Sequence, residues 1–174
     1  MIRIPDSALV LLIGASGSGK STFASRHFPA DAIVSSDELR ARHGPRRPKG
    51  RLDVFEDLLP LVQARMAAGK LTVVDATNAD WMRRSELIRR AREHGRPALA
   101  IVFAIPLDGC LAHNRARESP VPAPTVRRHA AAIERDLDRL DLEGFAAVCI
   151  FRSVEQAAAA GVHIKKGPGD PGPS

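Results

Sequence analysis

Residues 14–21 read Gly-Ala-Ser-Gly-Ser-Gly-Lys-Ser and follow an apolar run at 8–13. They fit G-x-x-x-x-G-K-[ST], a phosphate-binding loop in which glycines let successive backbone N–H groups point at phosphate oxygens. Lys20 is long enough to reach the β- and γ-phosphates, and the Ser21 hydroxyl is a ligand for Mg²⁺. A chance match is the alternative, but a strand at 8–13 and a helix at 21–27 are also predicted, and the motif requires that context. The stretch predicts a nucleoside triphosphate site with the loop residues Gly14, Ala15, Ser16, Gly17, Ser18, Gly19, Lys20, Ser21 and Thr22.

The composition indicates an ordinary globular protein. The chain has 174 residues, of which 44% are hydrophobic and 26% charged, as in soluble domains. No apolar run approaches the roughly 20 residues that cross a bilayer, and the short run before the loop does not predict a signal peptide. Cys110 and Cys149 are far apart and predict reduced thiols, while the six scattered histidines lack zinc-ligand spacing. We therefore expect a cytoplasmic protein without a membrane partner.

The charge balance is compatible with a polyanionic partner. The net charge is +6 and the isoelectric point is near 10.1, although an arginine-rich composition alone gives the same values. Aromatic residues make up only 4% of the chain and tyrosine is absent. A base-stacking platform for single-stranded nucleic acid is therefore disfavoured.

The order of apolar runs and helical patterns predicts an α/β fold. Strands are predicted at 8–13, 32–35, 71–74, 98–104 and 147–151, and helices at 51–68, 80–94 and 125–140. Pro60 is expected to kink or split the first of these helices. Strands that alternate with helices predict a parallel sheet between helical layers. We expect one domain at 1–164 and a disordered Gly/Pro-rich tail at 165–174.

A carboxylate ends the predicted strand at 71–74. Asp75 follows Leu-Thr-Val-Val, the pattern of a Walker-B aspartate, which would lie beside the phosphate-binding loop and hold Mg²⁺ directly or through water. An aspartate at the end of a strand is also a common turn or helix cap. The presence of the loop motif favours the metal role.

A second candidate follows the strand at 32–35. Ser35 and Glu38 form a capping box that would simply begin a helix. Asp37 and Arg40, however, would lie one helical turn apart on one face at the carboxyl edge of the sheet. A carboxylate there could take a proton from an attacking hydroxyl, and an arginine could hold a substrate anion. Both roles are compatible with the cap.

Two basic segments complete the candidate site. Arg117 lies in a basic stretch that could close as a lid over the phosphates, although most such runs are solvated loops. Residues 40–51 contain six Lys or Arg side chains and no acid. Arg46 and Arg47 are therefore predicted to contact the phosphates of a polyanionic acceptor.

These motifs together resemble the kinase domain of bacterial 5′-hydroxyl polynucleotide kinases, within the P-loop phosphotransferase group. The matching stretches are GASGSGKSTFASRHF (14–28), SSDELR (35–40), GKLTVVDATN (69–78) with Arg84 after it, Asn114-x-x-Arg117 before Val-Pro, and EGF to FRS (143–153). They span residues 8–155. The resemblance implies a five-stranded parallel sheet of 2-3-1-4-5 order with a helical lid.

By the same resemblance, ATP and Mg²⁺ would be bound by Lys20 and Ser21, and a polynucleotide 5′ end would be the acceptor. Asp37 would be the general base, Arg40 and Arg84 would contact the acceptor, and Arg117 would be the lid arginine. Arg152 and Ser153 would lie near the adenine. The chain departs from the family in the acid-free segment 42–51 and in the lid, where Ser-Pro-Val-Pro (119–122) replaces a second arginine and leaves Arg115 or Arg127 as substitutes.

Two other functions remain open at this stage. One is a P-loop kinase of a small hydroxylated metabolite or nucleotide sugar, as in zeta-toxin-like and gluconate-kinase-like proteins. The other is a nucleotide-binding ATPase that acts as a regulatory switch and has no acceptor. Asp37 beside Arg40 argues against the switch, because a switch needs no base that faces an acceptor.

Overall fold

The computed structural model describes residues 1–43 and 53–166 and contains a five-stranded parallel sheet in the order β3-β4-β2-β5-β6. Its strands are β2 (Leu9–Gly14), β3 (Ile33–Ser35), β4 (Thr72–Asp75), β5 (Ala98–Phe103) and β6 (Ala147–Phe151). The predicted strand order is therefore confirmed, and each predicted strand is found within one residue of its expected bounds. Two further strands, β1 (Ile2–Pro5) and β7 (Val162–Lys165), form a separate parallel pair that the sequence patterns did not reveal.

Seven helices surround the sheet in the described part of the chain. They are α1 (Lys20–His27), α2 (Ser36–His43), α3 (Val54–Ala67), α4 (Trp81–Glu93), α5 (Leu107–Arg115), α6 (Ala123–Asp136) and α7 (Val154–Ala159). A 3₁₀ turn, Leu137–Leu142, continues α6, so the predicted helix at 125–140 is an α-helix followed by a tighter turn. Strand β7 runs through Lys165, one residue past the predicted end of the domain, and the tail at 167–174 lies outside the described residues.

The central strand β2 is buried on both faces, which is why its sequence is continuously apolar rather than alternating. Val10 and Leu12 belong to one core cluster, and Leu9, Leu11 and Ile13 belong to the other. With helices covering both faces, the site residues are restricted to the open edge where the parallel strands end. No helix in 1–43 or 53–166 is long and apolar enough to cross a membrane.

Helix α3 is continuous from Val54 to Ala67, so the helix is not split at Pro60, which was one of the two outcomes predicted there. Leu58, Val62 and Met66 form the buried stripe of this helix, whereas Pro60 points to solvent. The carbonyl that loses its partner at the proline is therefore on the side where water can hydrogen-bond it. Burial of the opposite face stabilises the helix through that position.

Candidate active site

The phosphate-binding loop connects β2 to α1 with two left-handed glycines. Gly17 and Gly19 have φ of 82° and 94°, a region that favours glycine. A Cβ on Gly17 would lie 2.1 Å from the carbonyl oxygen of Cys110, so the loop also packs directly on α5. Glycine is therefore favoured at both positions by the backbone conformation, and at Gly17 also because a side chain would have no space.

Lys20 closes this loop from within. Its Nζ donates to the Ala15 carbonyl oxygen at 2.9 Å and lies 3.4 Å from Ser18 Oγ. Burial lowers the pKa of the Lys20 amine to about 8, against the attraction of Asp75 and Asp37. An anion bound in the loop would raise this pKa again, because its negative charge favours the protonated amine.

A cavity of about 1020 Å³ opens beside the loop and is lined by most of the predicted site residues that the structure describes. It is lined by Ser16 to Thr22, by Asp37 and Arg40 from α2, by Asp75 from β4 and by Arg117 from the loop between α5 and α6. Four predicted segments that are far apart in sequence are thus brought to one place.

Asp75 ends β4 next to the loop. Its carboxylate accepts a hydrogen bond from the Ser21 side chain, and burial raises its pKa against that bond and the charge of Lys20. A hydroxyl and a carboxylate side by side form the oxygen donor set that Mg²⁺ prefers. These two residues would hold the ion together with phosphate oxygens.

Asp37 is held between two arginines. Its Oδ1 accepts from Arg40 Nη1 at 2.7 Å, and its Oδ2 accepts from Arg117 Nη2 at 2.5 Å. Arg117 Nη1 also lies 3.5 Å from Ser16 Oγ in the phosphate-binding loop. Arg117 therefore bridges the phosphate-binding loop and the candidate base.

The two guanidinium groups stabilise the charged form of Asp37. Burial raises the pKa of this carboxyl, but the hydrogen bond and charge of Arg117, with those of Arg40, outweigh it and hold the pKa below its usual value. Ser35 Oγ accepts from the Glu38 N–H at 3.3 Å, so the predicted cap exists as well. The segment serves both as a helix start and as part of the cavity.

Arg84 is not in the cavity, so its predicted contact with an acceptor was wrong. The side chain is fully buried and is bonded to Asp136 at 2.9 Å and Glu143 at 2.5 Å. Its Nη1 also donates to the Asn78 carbonyl oxygen at 2.9 Å. Asn78 in turn has φ of 48° and donates through Nδ2 to the Leu12 carbonyl oxygen at 2.8 Å. Arg84 thus holds the loop after Asp75 against the central strand.

Arg152 and Ser153 are also absent from the cavity lining. Ser153 instead caps α7, accepting from the Gln156 N–H at 3.3 Å. The cavity at this end is lined by Val154, Ala157 and Ala158 of α7 and by Arg26 and His27 of α1. The residues of this region that face the cavity begin at Val154, one position after the predicted pair. The other predicted acceptor residues, Arg46 and Arg47, lie outside the described residues.

Helix α6 supplies a wall that sequence reasoning missed. Thr125 and His129, one helical turn apart, line the cavity. Burial lowers the pKa of His129, and the charges of Arg128, Lys20 and Arg40 lower it further. This wall is therefore uncharged at neutral pH, in contrast to the arginines around it. The i, i+4 spacing of the two polar residues was visible in the sequence, but nothing there showed which face would meet the cavity.

Similar folds are known in several proteins. A chain of the Pnkp1/Rnl/Hen1 RNA repair complex superposes with a TM-score of 0.64 at 21% identity, over 81% of this chain and 48% of that one. A gluconokinase from Sinorhizobium meliloti 1021 gives 0.56 at 16% identity, over 88% and 87%. The PezAT toxin–antitoxin system of Streptococcus pneumoniae gives 0.54 at 17%, over 86% and 67%. This chain thus corresponds to about half of the RNA repair protein.

The loop, the strand order and these neighbours define a domain with the P-loop kinase fold. Residues 9–141 match the model of a family described as "AAA domain", and the chain belongs to that family.

Proposed function

We propose that this protein is an ATP- and Mg²⁺-dependent phosphotransferase that transfers the γ-phosphate of ATP to the 5′-hydroxyl end of a polynucleotide. The observation that carries this proposal is the Asp37 carboxylate, which shares one cavity with the phosphate-binding loop and is bonded to the lid arginine. A nucleotide-binding switch has no use for a base and an anion-binding arginine at that position. Arg40 supplies the second of these groups, one helical turn from Asp37.

The donor side of the cavity is formed by the loop and β4. Lys20 would neutralise the charge that develops on the β- and γ-phosphates, and the loop N–H groups would orient them. Ser21 and Asp75 would hold Mg²⁺, which supplies charge neutralisation on the phosphate oxygens when bound. Val154, Ala157 and Ala158 give an apolar surface for the base of the nucleotide.

The acceptor side is formed by α2, by α6 and by the loop between α5 and α6 (residues 116–122), hereafter the lid loop. Asp37 would accept the proton of the attacking hydroxyl, and Arg117 would leave Asp37 for the phosphates of the nucleotide. That exchange would remove the larger of the two guanidinium effects on Asp37 and raise the pKa of this carboxyl towards its usual value. The base would thus become stronger when the donor is in place.

A polynucleotide acceptor is supported by charge and by space. Arg40 lies in the cavity at the start of the acid-free basic segment 40–51, and Arg127 and Arg128 are exposed on α6. A volume of about 1020 Å³ is at the upper end for a single small-ligand pocket, roughly 300–1,000 Å³. The fold shared with a chain of an RNA repair complex is consistent with this acceptor.

A small hydroxylated metabolite is the second candidate. It is favoured by the gluconokinase, which matches this chain along nearly the full length of both proteins. Transfer from γ-labelled ATP to 5′-hydroxyl DNA, 5′-hydroxyl RNA and small alcohols separates the two. We expect labelled oligonucleotide only, whereas equal or better labelling of uncharged alcohols would replace the polynucleotide acceptor by the metabolite.

Salt dependence provides an independent test of the same point. The apparent oligonucleotide affinity should fall steeply with added salt, because each neutralised phosphate releases counterions. Replacing Arg46, Arg47 and Lys49 together by Ala should flatten that slope. An unchanged slope would contradict the phosphate contacts predicted for 40–51. ATP turnover that rises only with a protein partner would instead indicate the switch.

A further inference from the structure

Asn114 is a buried polar residue near the end of α5, with 3% of its surface exposed. Its side-chain amide makes two hydrogen bonds to the backbone of Val121, seven residues later. Nδ2 donates to the Val121 carbonyl oxygen at 2.8 Å, and Oδ1 accepts from the Val121 N–H at 3.1 Å. A single side chain thus closes the loop that carries Arg117.

We infer that Asn114 is a positioning residue whose amide fixes Arg117 over the phosphate-binding loop. The main chain contributes as well, because the Arg117 N–H donates to the Asn114 carbonyl oxygen at 3.2 Å. The assignment to catalysis rests on the proposed function, whereas the assignment to nucleotide binding does not. Asn114 would thus be required by the site although it does not itself contact the nucleotide.

The other end of this arrangement is anchored on the phosphate-binding loop itself. A Cβ on Gly17 would lie 2.8 Å from the Asn114 backbone nitrogen, and His113 Nδ1 lies 3.2 Å from the Gly17 carbonyl oxygen. Helix α5 therefore abuts the loop with no space between them. From this fixed base, the Asn114 amide determines the path of the chain that leaves the helix.

Apart from this amide, the lid loop is held by the bonds of Arg117 to Asp37 and Ser16 and by Val121, which packs against the core. Every residue from 115 to 120 is exposed or half-buried, so these residues contribute no buried side chain to the core. Pro120 and Pro122 stiffen the chain but do not tie it to α5. Buried hydrogen bonds that close a short loop are favourable because they replace water without exposing a donor or an acceptor. Loss of the Asn114 amide should therefore free Arg117 while the fold remains.

The test is a double-mutant cycle on ATP binding with Asn114→Ala, Arg117→Ala and the double variant. Each single variant should bind ATP about tenfold more weakly, the effect of losing one charge-assisted hydrogen bond. The double variant should be no weaker than Arg117→Ala alone. Multiplied losses, or wild-type affinity in Asn114→Ala, would overturn the inference, because a merely structural role would not depend on Arg117.

A second variant and a second measurement keep this inference testable if Asn114→Ala does not fold. Asn114→Asp keeps the acceptor for the Val121 N–H and loses the donor, so it should lie between wild type and Asn114→Ala and serves if the alanine variant does not fold. Hydrogen exchange of the Val121 amide should accelerate in Asn114→Ala, while amides of β2 and β5 remain protected. Asp108→Ala, at an exposed position of α5 outside the cavity lining, is the control and should leave the exchange of the Val121 amide unchanged.

Transfer kinetics then distinguish the two proposals. In single-turnover experiments, Asn114→Ala should transfer phosphate more slowly than wild type, whereas the double variant should be no slower than Arg117→Ala. If no acceptor is phosphorylated by the wild-type protein, the proposed function fails. The ATP-binding cycle and the exchange data still confirm or overturn the role of Asn114 in that case.

Discussion

Two of the arginine–carboxylate clusters among the described residues, one around Arg84 and one around Asp37, differ in exposure rather than in chemistry. Arg84 is 0% exposed and is paired with Asp136 and Glu143, whose side chains are 12% and 15% exposed. Arg117 and Asp37, at the cavity, have side chains that are 36% and 49% exposed. Both arginines make ion pairs of 2.5 Å, so distance alone does not separate them.

Burial determines what each cluster can do. The Arg84 pairs cannot be exchanged for water without leaving charges in the core, which is costly. Burial raises the pKa of Asp136, but the hydrogen bonds and charges of Arg84 and Arg135 outweigh it and hold that pKa below its usual value, so this carboxylate stays charged. The pair at the cavity is in contact with solvent, where an ion pair contributes little and a phosphate can replace either partner. One cluster is suited to holding a loop and the other to exchanging ligands.

The largest expected effect of a single substitution is on the cluster at the cavity, formed by Asp37, Arg40 and Arg117 and called the open cluster below. Asp37→Asn keeps the shape of the side chain and removes the proton acceptor. It should slow single-turnover transfer by about 10²–10⁴, the usual contribution of a general base. A mere cap would tolerate the change, since Asn and Asp cap equally well.

Glu38→Gln is the matched control for this substitution. Glu38 is exposed on the same helix and does not line the cavity. Its transfer rate and nucleotide affinity should equal those of wild type. An Asp37→Asn protein with the wild-type rate would reduce the open cluster to a structural one.

The buried cluster should respond in stability. Arg84→Met leaves Asp136 and Glu143 without their main partner in the interior and should lower the free energy of unfolding by about 3–5 kcal/mol. Urea denaturation measures the change. Arg89→Ala, on the same helix and paired with the surface carboxylates Glu86 and Glu93, should alter it by less than about 0.5 kcal/mol. Equal losses in the two variants would remove the distinction between the clusters.

The same contrast explains what could be predicted from the sequence. The phosphate-binding loop, Asp75 and the Asp37–Arg40 pair follow from motifs, because the backbone and the ends of strands place them locally. Arg84 was misassigned because its burial depends on Asp136 and Glu143, about 50 and 60 residues further along the chain. Strands β1 and β7 were missed because each has four residues and only partial burial. Short patterns of this kind carry little periodic signal.

Lys20 should make ATP affinity depend on pH. Burial lowers the pKa of its amine to about 8 in the free protein, and bound phosphates would raise it. At a pH between the pKa of Lys20 in the free protein and its pKa in the complex, ATP binding is accompanied by protonation of Lys20. ATP affinity should therefore fall as the pH rises above about 8, by up to tenfold per pH unit. Below that pH, Lys20 is already protonated and contributes no slope.

Calorimetry at about pH 9 in two buffers of different ionisation enthalpy measures this proton uptake directly. Ser21→Ala retains Lys20 and should keep the slope despite weaker binding. Constant affinity between about pH 7 and 9.5 would mean that the amine stays protonated in the empty loop.

The smallest expected effect is on the stability contributed by the open cluster. Arg117→Ala removes one guanidinium from Asp37, but Arg40 remains bonded to that carboxylate at 2.7 Å, and water reaches both partners. The free energy of unfolding should therefore change by less than about 1 kcal/mol, as for exposed ion pairs generally. The same variant should bind ATP more weakly and transfer more slowly, because the arginine acts on phosphate and not on the fold. Urea denaturation and ATP titration of one preparation separate the two effects. A loss of stability comparable with that of Arg84→Met would show that Arg117 holds the lid loop in place, and the contrast between the two clusters would then fail.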